Sequence, residues 1–173
     1  MQTTSTVATA TLPPGHYDID PSRSSVTFAT RHLFGLGRVK GSFAIRAGAA
    51  DVADPIEASA IYAEIEAASF RTRNPARDGS VRSPRFLDPA GHPVMIFRSD
   101  RIDAERQALT GTLTVRGATR PVTLAITRCE ASGGSFTARA TARIDRTEFG
   151  ITAARGLAAR YLNLAMEIQC IRN

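Results

Sequence analysis

Strict alternation of apolar and polar residues is the feature that most constrains the fold of this chain. Between residues 109 and 115, every second residue is Leu, Gly or Val and each residue between them is Thr. Similar alternation recurs over residues 24–31, 39–46, 61–67, 94–99, 122–127, 136–145 and 162–169. A period of two is typical of β-strands with one buried face. About eight such strands, without a long amphipathic helix to cover them, predict an all-β antiparallel sheet that closes on itself as a barrel or packs as a sandwich.

The predicted apolar faces contain many small residues, which leaves two interpretations open. These residues are Gly41, Ala63, Ala67, Gly111, Ala138, Ala140 and Ala142. Because protein interiors are close-packed, small inward residues indicate closely packed sheets or space kept for a ligand. A barrel of about eight strands is just wide enough to hold one small molecule. The predicted lumen-lining residues are Phe28, Phe43, Ile61, Ile65, Met95, Phe97, Leu113, Ile126, Ala140 and Met166.

One long segment, residues 72–93, interrupts the strand pattern. Asn74-Pro75 is typical of a helix N-cap followed by proline at the first helical position, and Ser83-Pro84 repeats this signature. The segment therefore predicts one or two short helices. Long connections in compact domains often carry function.

Length and charge narrow the classes of partner. The 173 residues suit one domain, which we place at residues 15–173 after a disordered tail at residues 1–14. The net charge is +6, but the positive residues are scattered arginines with Lys40 as the only lysine, so a solvated surface is favoured over nucleic-acid binding. We expect no signal peptide, no stable membrane insertion and a cytoplasmic location, because the tail lacks a basic start and no apolar run approaches a membrane span.

Few residues are placed for metal or covalent chemistry. Alternation puts Cys129 on a polar face and Cys170 on an apolar face, so we do not expect them to pair. The three histidines lack the short spacing of a metal site, and no nucleophile motif or glycine-rich phosphate loop occurs. We therefore predict no metal and no cofactor.

Several segments, taken in order, resemble one known family. They are Tyr17–Phe28, His32, Val39–Phe43, Arg77-Asp78 through Arg82-Ser83 to Phe86, Pro93–Ser99, Leu109–Gly117, Pro121-Val122 and Arg146–Ile151. Together they resemble the YceI-like, polyisoprenoid-binding family, from about Tyr17 to Ile171. The resemblance implies a lipocalin-like barrel that holds a long isoprenoid in its lumen. The long segment at residues 72–93, called the crossover below, departs from the family pattern. It has Gly79-Ser80-Val81 after the Arg-Asp pair.

Four polar residues are candidates for the mouth of the barrel: His32, Arg77, Asp78 and Arg82. We expect Arg77 to pair with Asp78, and Arg82 to contact a ligand head group; the other assignment is that Arg77 grips a phosphate or quinone oxygen.

The predicted function is non-catalytic binding, storage or transport of a prenyl quinone or polyprenyl phosphate, with a homodimer left open. One alternative is an enzyme that uses His32 and Asp78 on an isoprenoid-like substrate. The other is a structural or stress-related interaction module.

Overall fold

The computed structural model describes residues 11–32, 37–154 and 156–173, with only the backbone of His32. Within these ranges the chain is almost entirely antiparallel sheet. The strands are β1 Gly15–Ile19, β2 Ser25–His32, β3 Gly37–Phe43, β4 Ile45–Val52, β5 Ala60–Glu66, β6 Val94–Asp103, β7 Ala108–Val115, β8 Ala118–Ser132, β9 Ser135–Asp145 and β10 Tyr161–Arg172. Helix α1 covers Pro75–Val81, and single turns of 3-10 helix lie at Pro21–Arg23, Ile56–Ala58, Ala67–Ser69 and Arg146–Phe149.

These strands form a closed, eight-stranded barrel. Strands β1 and β2 are two halves of one bent strand, and β3 and β4 are halves of the next, because β2 pairs with β3 while β1 pairs with β4. Each later strand pairs with its predecessor up to β10. Strand β10 closes the ring by pairing with β2 near its start and with β1 near its end. The predicted antiparallel, lipocalin-like β-barrel of about eight strands is confirmed.

The up-and-down order separates the connections between two ends of the barrel. The crossover end carries residues 67–93, the turn at 116–117 and residues 146–160. The opposite end carries residues 53–59, 104–107 and 133–134. Residues 1–10 of the predicted tail lie outside the described residues. Leu12 packs against the core at the opposite end.

Two hairpins use two-residue turns in which both residues have positive φ. Arg116 and Gly117 have φ of 53° and 76°, and Gly133 and Gly134 have 49° and 81°. Such turns match the right-handed twist of the flanking strands. The first is shorter than the predicted turn at 117–121, because Pro121 already lies in β8, opposite Thr112.

In the crossover, α1 starts as the sequence predicts, but a second helix does not form. The Asn74 side chain accepts a hydrogen bond from the backbone N–H of Arg77, and Pro75 occupies the first helical position. Residues 83–87 form consecutive turns instead of a helix. Phe86 and Leu87 are nevertheless buried, so this segment packs onto the end of the barrel.

A bulge in β8 overturns the predicted orientation of Cys129. The register with β9 shifts between Ile126 and Arg128, so that Thr127 and Arg128 are both exposed. The extra residue reverses the phase of the alternation. Cys129 therefore packs against the core rather than facing solvent.

Two of the small residues are glycines that allow neighbouring chain atoms to approach closely, and they leave no open space. A Cβ at Gly41 would lie 2.4 Å from Cζ of Phe28, and one at Gly111 would lie 2.2 Å from the Arg98 carbonyl oxygen. Ala67 is 1% exposed and begins a 3-10 turn rather than lining a strand face. The interpretation of these three positions as reserved volume was wrong.

Candidate functional site

An elongated cavity of about 620 Å³ runs through the barrel. Its wall is formed almost entirely by aliphatic and aromatic side chains. The structure places every predicted lumen residue along this wall: Phe28, Phe43, Ile61, Ile65, Met95, Phe97, Leu113, Ile126, Ala140 and Met166. That these residues contact a ligand stays a prediction.

The cavity stays open because β9 presents alanines between larger residues of its neighbours. Ala140 lies between Ile126 of β8 and Met166 of β10. In the next inward row, Ala138 lies between Cys129 and Ile168. Small side chains on the central strand cannot fill the space that the flanking rows leave. The alanines of β9 therefore form the floor of a groove along the inner wall.

Aromatic clusters line the cavity at both ends. At the opposite end, the Tyr17 and Phe136 rings meet edge to face with centroids 5.0 Å apart. At the crossover end, Phe28 stacks on Phe70 at 5.2 Å, and Phe43 packs against both. Both clusters leave apolar surface facing the cavity, since members of each line it.

The polar residues of α1 meet the cavity at the crossover end. Arg77 and Ser80 both line the cavity, as expected for residues three apart on one helical face. Arg77 is half-buried, and its Nη1 donates a long hydrogen bond of 3.4 Å to the Thr72 hydroxyl. The other polar lining residues include Thr30, Ser59, Gln107 and Arg146.

Asp78 and Arg82 do not line the cavity but fasten the crossover. The buried Asp78 carboxylate accepts hydrogen bonds from the backbone N–H and hydroxyl of Thr72, not an ion pair from Arg77 as predicted. Burial pushes the pKa of Asp78 up, but the Thr72 bonds and the nearby positive charges of Arg82 and Arg77 outweigh it and hold that pKa below its ordinary value. Arg82 donates to the Phe70 carbonyl. Of the two arginines, Arg77 lines the cavity and Arg82 does not.

Comparison with known proteins supports the architecture independently. A family model described as the YceI-like domain matches residues 17–170. This chain is a member of the YceI-like family. A UPF0312 protein of Pectobacterium carotovorum is 30% identical over 165 residues, covering 90% of this chain and 85% of that protein. A UPF0312 protein of Azotobacter vinelandii is 28% identical with the same coverage.

Solved structures share the fold at low sequence identity. Burkholderia cenocepacia BcnA superposes with a TM-score of 0.75 at 18% identity, covering 87% of this chain and 98% of BcnA. A polyisoprenoid binding domain from Saccharophagus degradans, implicated in plant cell wall breakdown, superposes with a TM-score of 0.67 at 12% identity, covering 93% and 100%.

Arg146, which was not among the candidates predicted from the sequence, forms part of the cavity wall of this YceI-like protein. Its buried guanidinium donates to the carbonyls of Ala159 at 2.7 Å, Ile151 at 3.1 Å and Ala158 at 3.4 Å. Its side chain therefore holds the carbonyls of Ile151, Ala158 and Ala159 around one cation. The sequence did indicate this orientation. Every second residue from Phe136 to Ile144 was expected to face inward, and Arg146 is the next position in that series.

Both cysteines face inward, on opposite sides of β9. Cys129 is opposite Ala138 and Cys170 is opposite Phe136, so one whole strand separates them and prevents a disulfide. Burial raises the pKa of the Cys129 thiol, and raises that of Cys170 to about 12. Both are thus protonated thiols at neutral pH.

The remaining chemical candidates are not assembled into a site. The side chain of His32 lies outside what the structure describes. Across residues 11–31, 37–154 and 156–173, no three His, Cys, Asp or Glu side chains are grouped to hold a metal. None of the helices in the described ranges is long and apolar enough to cross a membrane.

Proposed function

We propose that this protein binds one long isoprenoid chain inside the barrel and holds it without chemical change. The observation that carries the proposal is the apolar cavity of about 620 Å³ that runs through the barrel. This volume lies within the range of small-molecule sites, which is about 300–1,000 Å³. An elongated apolar cavity suits a flexible hydrocarbon better than a compact polar metabolite.

The energetics favour a long apolar tail. Removing each CH₂ from water contributes about 0.8 kcal/mol, so a tail of several isoprene units gains affinity without polar contacts. The inner faces of β7–β10 supply half-buried Leu113, Ile126, Leu164 and Met166, which retain exposed area that a ligand would cover. The Saccharophagus neighbour, described as polyisoprenoid binding, supports this ligand class.

The head group of such a ligand would lie at the crossover end. There Arg77 and Ser80 face the cavity from one side of α1. The Arg77 guanidinium makes a long bond to the Thr72 hydroxyl and has N–H groups to offer a phosphate or quinone oxygen. A polyprenyl phosphate or a prenyl quinone fits this arrangement.

The alternative of an enzyme has less support. Asp78 was the proposed partner of His32, but it lies outside the cavity wall and both of its Thr72 bonds stabilise the carboxylate. A carboxylate with a lowered pKa is a weak general base at neutral pH. No observation in the described residues favours catalysis over binding.

Native mass spectrometry of protein purified from its own host tests the proposal directly. We expect a mass increment of one isoprenoid per barrel, and a raised Tm when prenyl quinone or polyprenyl phosphate is added to stripped protein. Protein that carries no lipid, and whose Tm neither compound changes, would show that the proposal is wrong.

The two crossover arginines provide a matched pair of variants for the head group. Arg77→Gln should weaken binding of a polyprenyl phosphate by about tenfold while leaving the Tm almost unchanged, because one charge-assisted contact is lost. Arg82→Gln should lower the Tm and leave head-group preference unchanged, since Arg82 holds the Phe70 carbonyl. The reverse pattern would assign the head group to Arg82.

A further inference from the structure

The charged residues of this barrel are divided between its two ends. At the crossover end, residues 67–93 contain five arginines and two aspartates. These are Arg71, Arg73, Arg77, Arg82 and Arg85, and Asp78 and Asp88. At the opposite end, the connection at residues 53–59 carries Asp54 and Glu57 with no basic residue. Asp18, Asp51, Asp103 and Glu105 lie nearby at strand ends or in turns, together with Arg101, Arg106 and Arg172. Basic residues therefore exceed acidic ones at the crossover end, whereas acidic residues exceed basic ones at the opposite end.

Three arginines at the crossover end are available for an external partner. Arg71, Arg73 and Arg85 are exposed. None of these three forms an ion pair with a carboxylate in the part of the chain that the structure describes, whereas Arg106, Arg128 and Arg139 elsewhere on the barrel do. Unpaired surface arginines together produce a positive potential that attracts an anionic surface.

The three described connections of the crossover end meet at Phe86 and form one face. The Arg116 guanidinium of the hairpin turn donates to the Phe86 carbonyl at 3.2 Å. The Arg146 guanidinium lies over the Phe86 ring, 5.7 Å from its centroid. The crossover, the turn and residues 146–160 are thus held together around the end of the cavity.

An exposed apolar residue lies on this face beside the cavity. Leu157 is 55% exposed, the largest exposure among the large apolar side chains in the described ranges, and it also lines the cavity. On the other side, Ser80 of α1 is exposed and lines the same cavity. The cavity wall therefore reaches the surface at Leu157 and at Ser80 of α1.

From this arrangement we infer that the crossover end docks on an anionic lipid bilayer, with Leu157 entering the headgroup region and the cavity opening towards the membrane. Arginines near an anionic bilayer gain electrostatic attraction, and an apolar side chain among them adds insertion into the interface. The acidic opposite end would face away from the membrane. The inference rests on the proposed function, since a carrier of a membrane lipid must collect it there.

Co-sedimentation with vesicles measures the docking. The wild-type protein should bind vesicles of phosphatidylcholine mixed with phosphatidylglycerol, should not bind phosphatidylcholine alone, and should be released by salt. Replacing Arg73 and Arg85 by Glu should weaken binding by at least about tenfold. The matched control replaces Arg101 and Arg106 at the opposite end by Glu, with the same change in net charge, and should retain binding.

A tryptophan probe reports the orientation, because the chain contains no tryptophan. Leu157→Trp should show a blue-shifted emission on the anionic vesicles. Ile171→Trp, which places the probe at the opposite end on a residue that is 44% exposed, should show no shift. Equal shifts for both probes, or equal loss of binding for both charge reversals, would overturn the inferred face.

Two further outcomes separate this inference from its alternatives. If a short RNA binds the wild-type protein more tightly than the anionic vesicles do, the partner is a nucleic acid and the inference is overturned. Protein that carries an isoprenoid but binds no vesicles would overturn docking alone. Protein that docks as described but carries no isoprenoid would support docking and overturn the proposed function.

Discussion

Oδ1 of Asp78 accepts two hydrogen bonds from Thr72, from its backbone N–H at 2.9 Å and from its hydroxyl at 2.6 Å. This pair ties α1 to the chain that leaves β5. Because Arg77 is the next residue along the helix, the same contact fixes the face that Arg77 and Ser80 turn towards the cavity. A structural carboxylate outside the cavity thereby positions the polar residues at its end.

The Asp78 contact makes the stability of the protein depend on pH. The folded-state pKa is below the ordinary 3.8, so the stabilisation is fully present above that value and is lost as the pH falls through the folded pKa. Asp78→Asn should lower the free energy of unfolding by about 1–3 kcal/mol at neutral pH. Urea unfolding of both proteins should show this difference shrinking in acid; a constant difference would contradict the assignment.

The Ala140 position distinguishes an open lumen from a packed core. Ala140→Phe should leave the stability of lipid-stripped protein unchanged or raised, since the ring enters existing space, and should abolish isoprenoid uptake. Ala67→Phe is the matched control, because Ala67 is 1% exposed and does not line the cavity. Overpacking there should cost about 1–3 kcal/mol or more. Denaturant midpoints and uptake assays distinguish the open lumen from the packed core. Comparable destabilisation by both variants would argue for a filled interior.

Cys129 provides an internal reporter of occupancy. Its thiol lines the cavity and its pKa is raised by burial, so N-ethylmaleimide should modify it slowly, and bound prenyl quinone should protect it. Cys170 is fully buried and should react only on unfolding. Mass spectrometry of the native protein should show one modified thiol, and Cys129→Ser should show none. Labelling that ligand does not slow would place the ligand away from β8 and β9.

Two glycines should respond oppositely to alanine. At Gly111 a Cβ would lie 2.2 Å from the Arg98 carbonyl oxygen, so Gly111→Ala must push β6 and β7 apart and lower the Tm. At Gly79 in α1 a Cβ would meet nothing within 4 Å. Gly79→Ala should therefore stabilise the protein by roughly 0.5–1 kcal/mol through helix propensity. Thermal unfolding of the two variants tests both, and an unchanged Tm for Gly111→Ala would refute the steric argument.

Alternation predicted the antiparallel strands because each strand buries only one face, but it left a barrel and a sandwich open, and the family resemblance implied the barrel. The same alternation predicts that Arg146 faces inward, because it lies two residues after Ile144. It failed at Cys129, because the bulge after Ile126 has no local sequence signature and shifts the alternation by one residue.

The crossover was harder to predict because its contacts join residues that no periodicity relates. Whether Asp78 pairs with Arg77 or Thr72 depends on how the chain bends before α1. The placement of Arg77, rather than Arg82, along the cavity has the same origin, since the helix ends at Val81 and Arg82 turns towards Phe70.

The closure of the barrel by β10 has a consequence for how the protein is made. Tyr17 pairs with Arg172, and β10 bonds to β1, β2 and β9 at once. During translation, the free edges of β2 and β9 therefore remain unpaired until β10 leaves the ribosome. Such edges invite association between nascent chains, and contacts this distant in sequence form slowly. We expect the interval before β10 emerges to be when newly synthesised molecules most need chaperone protection.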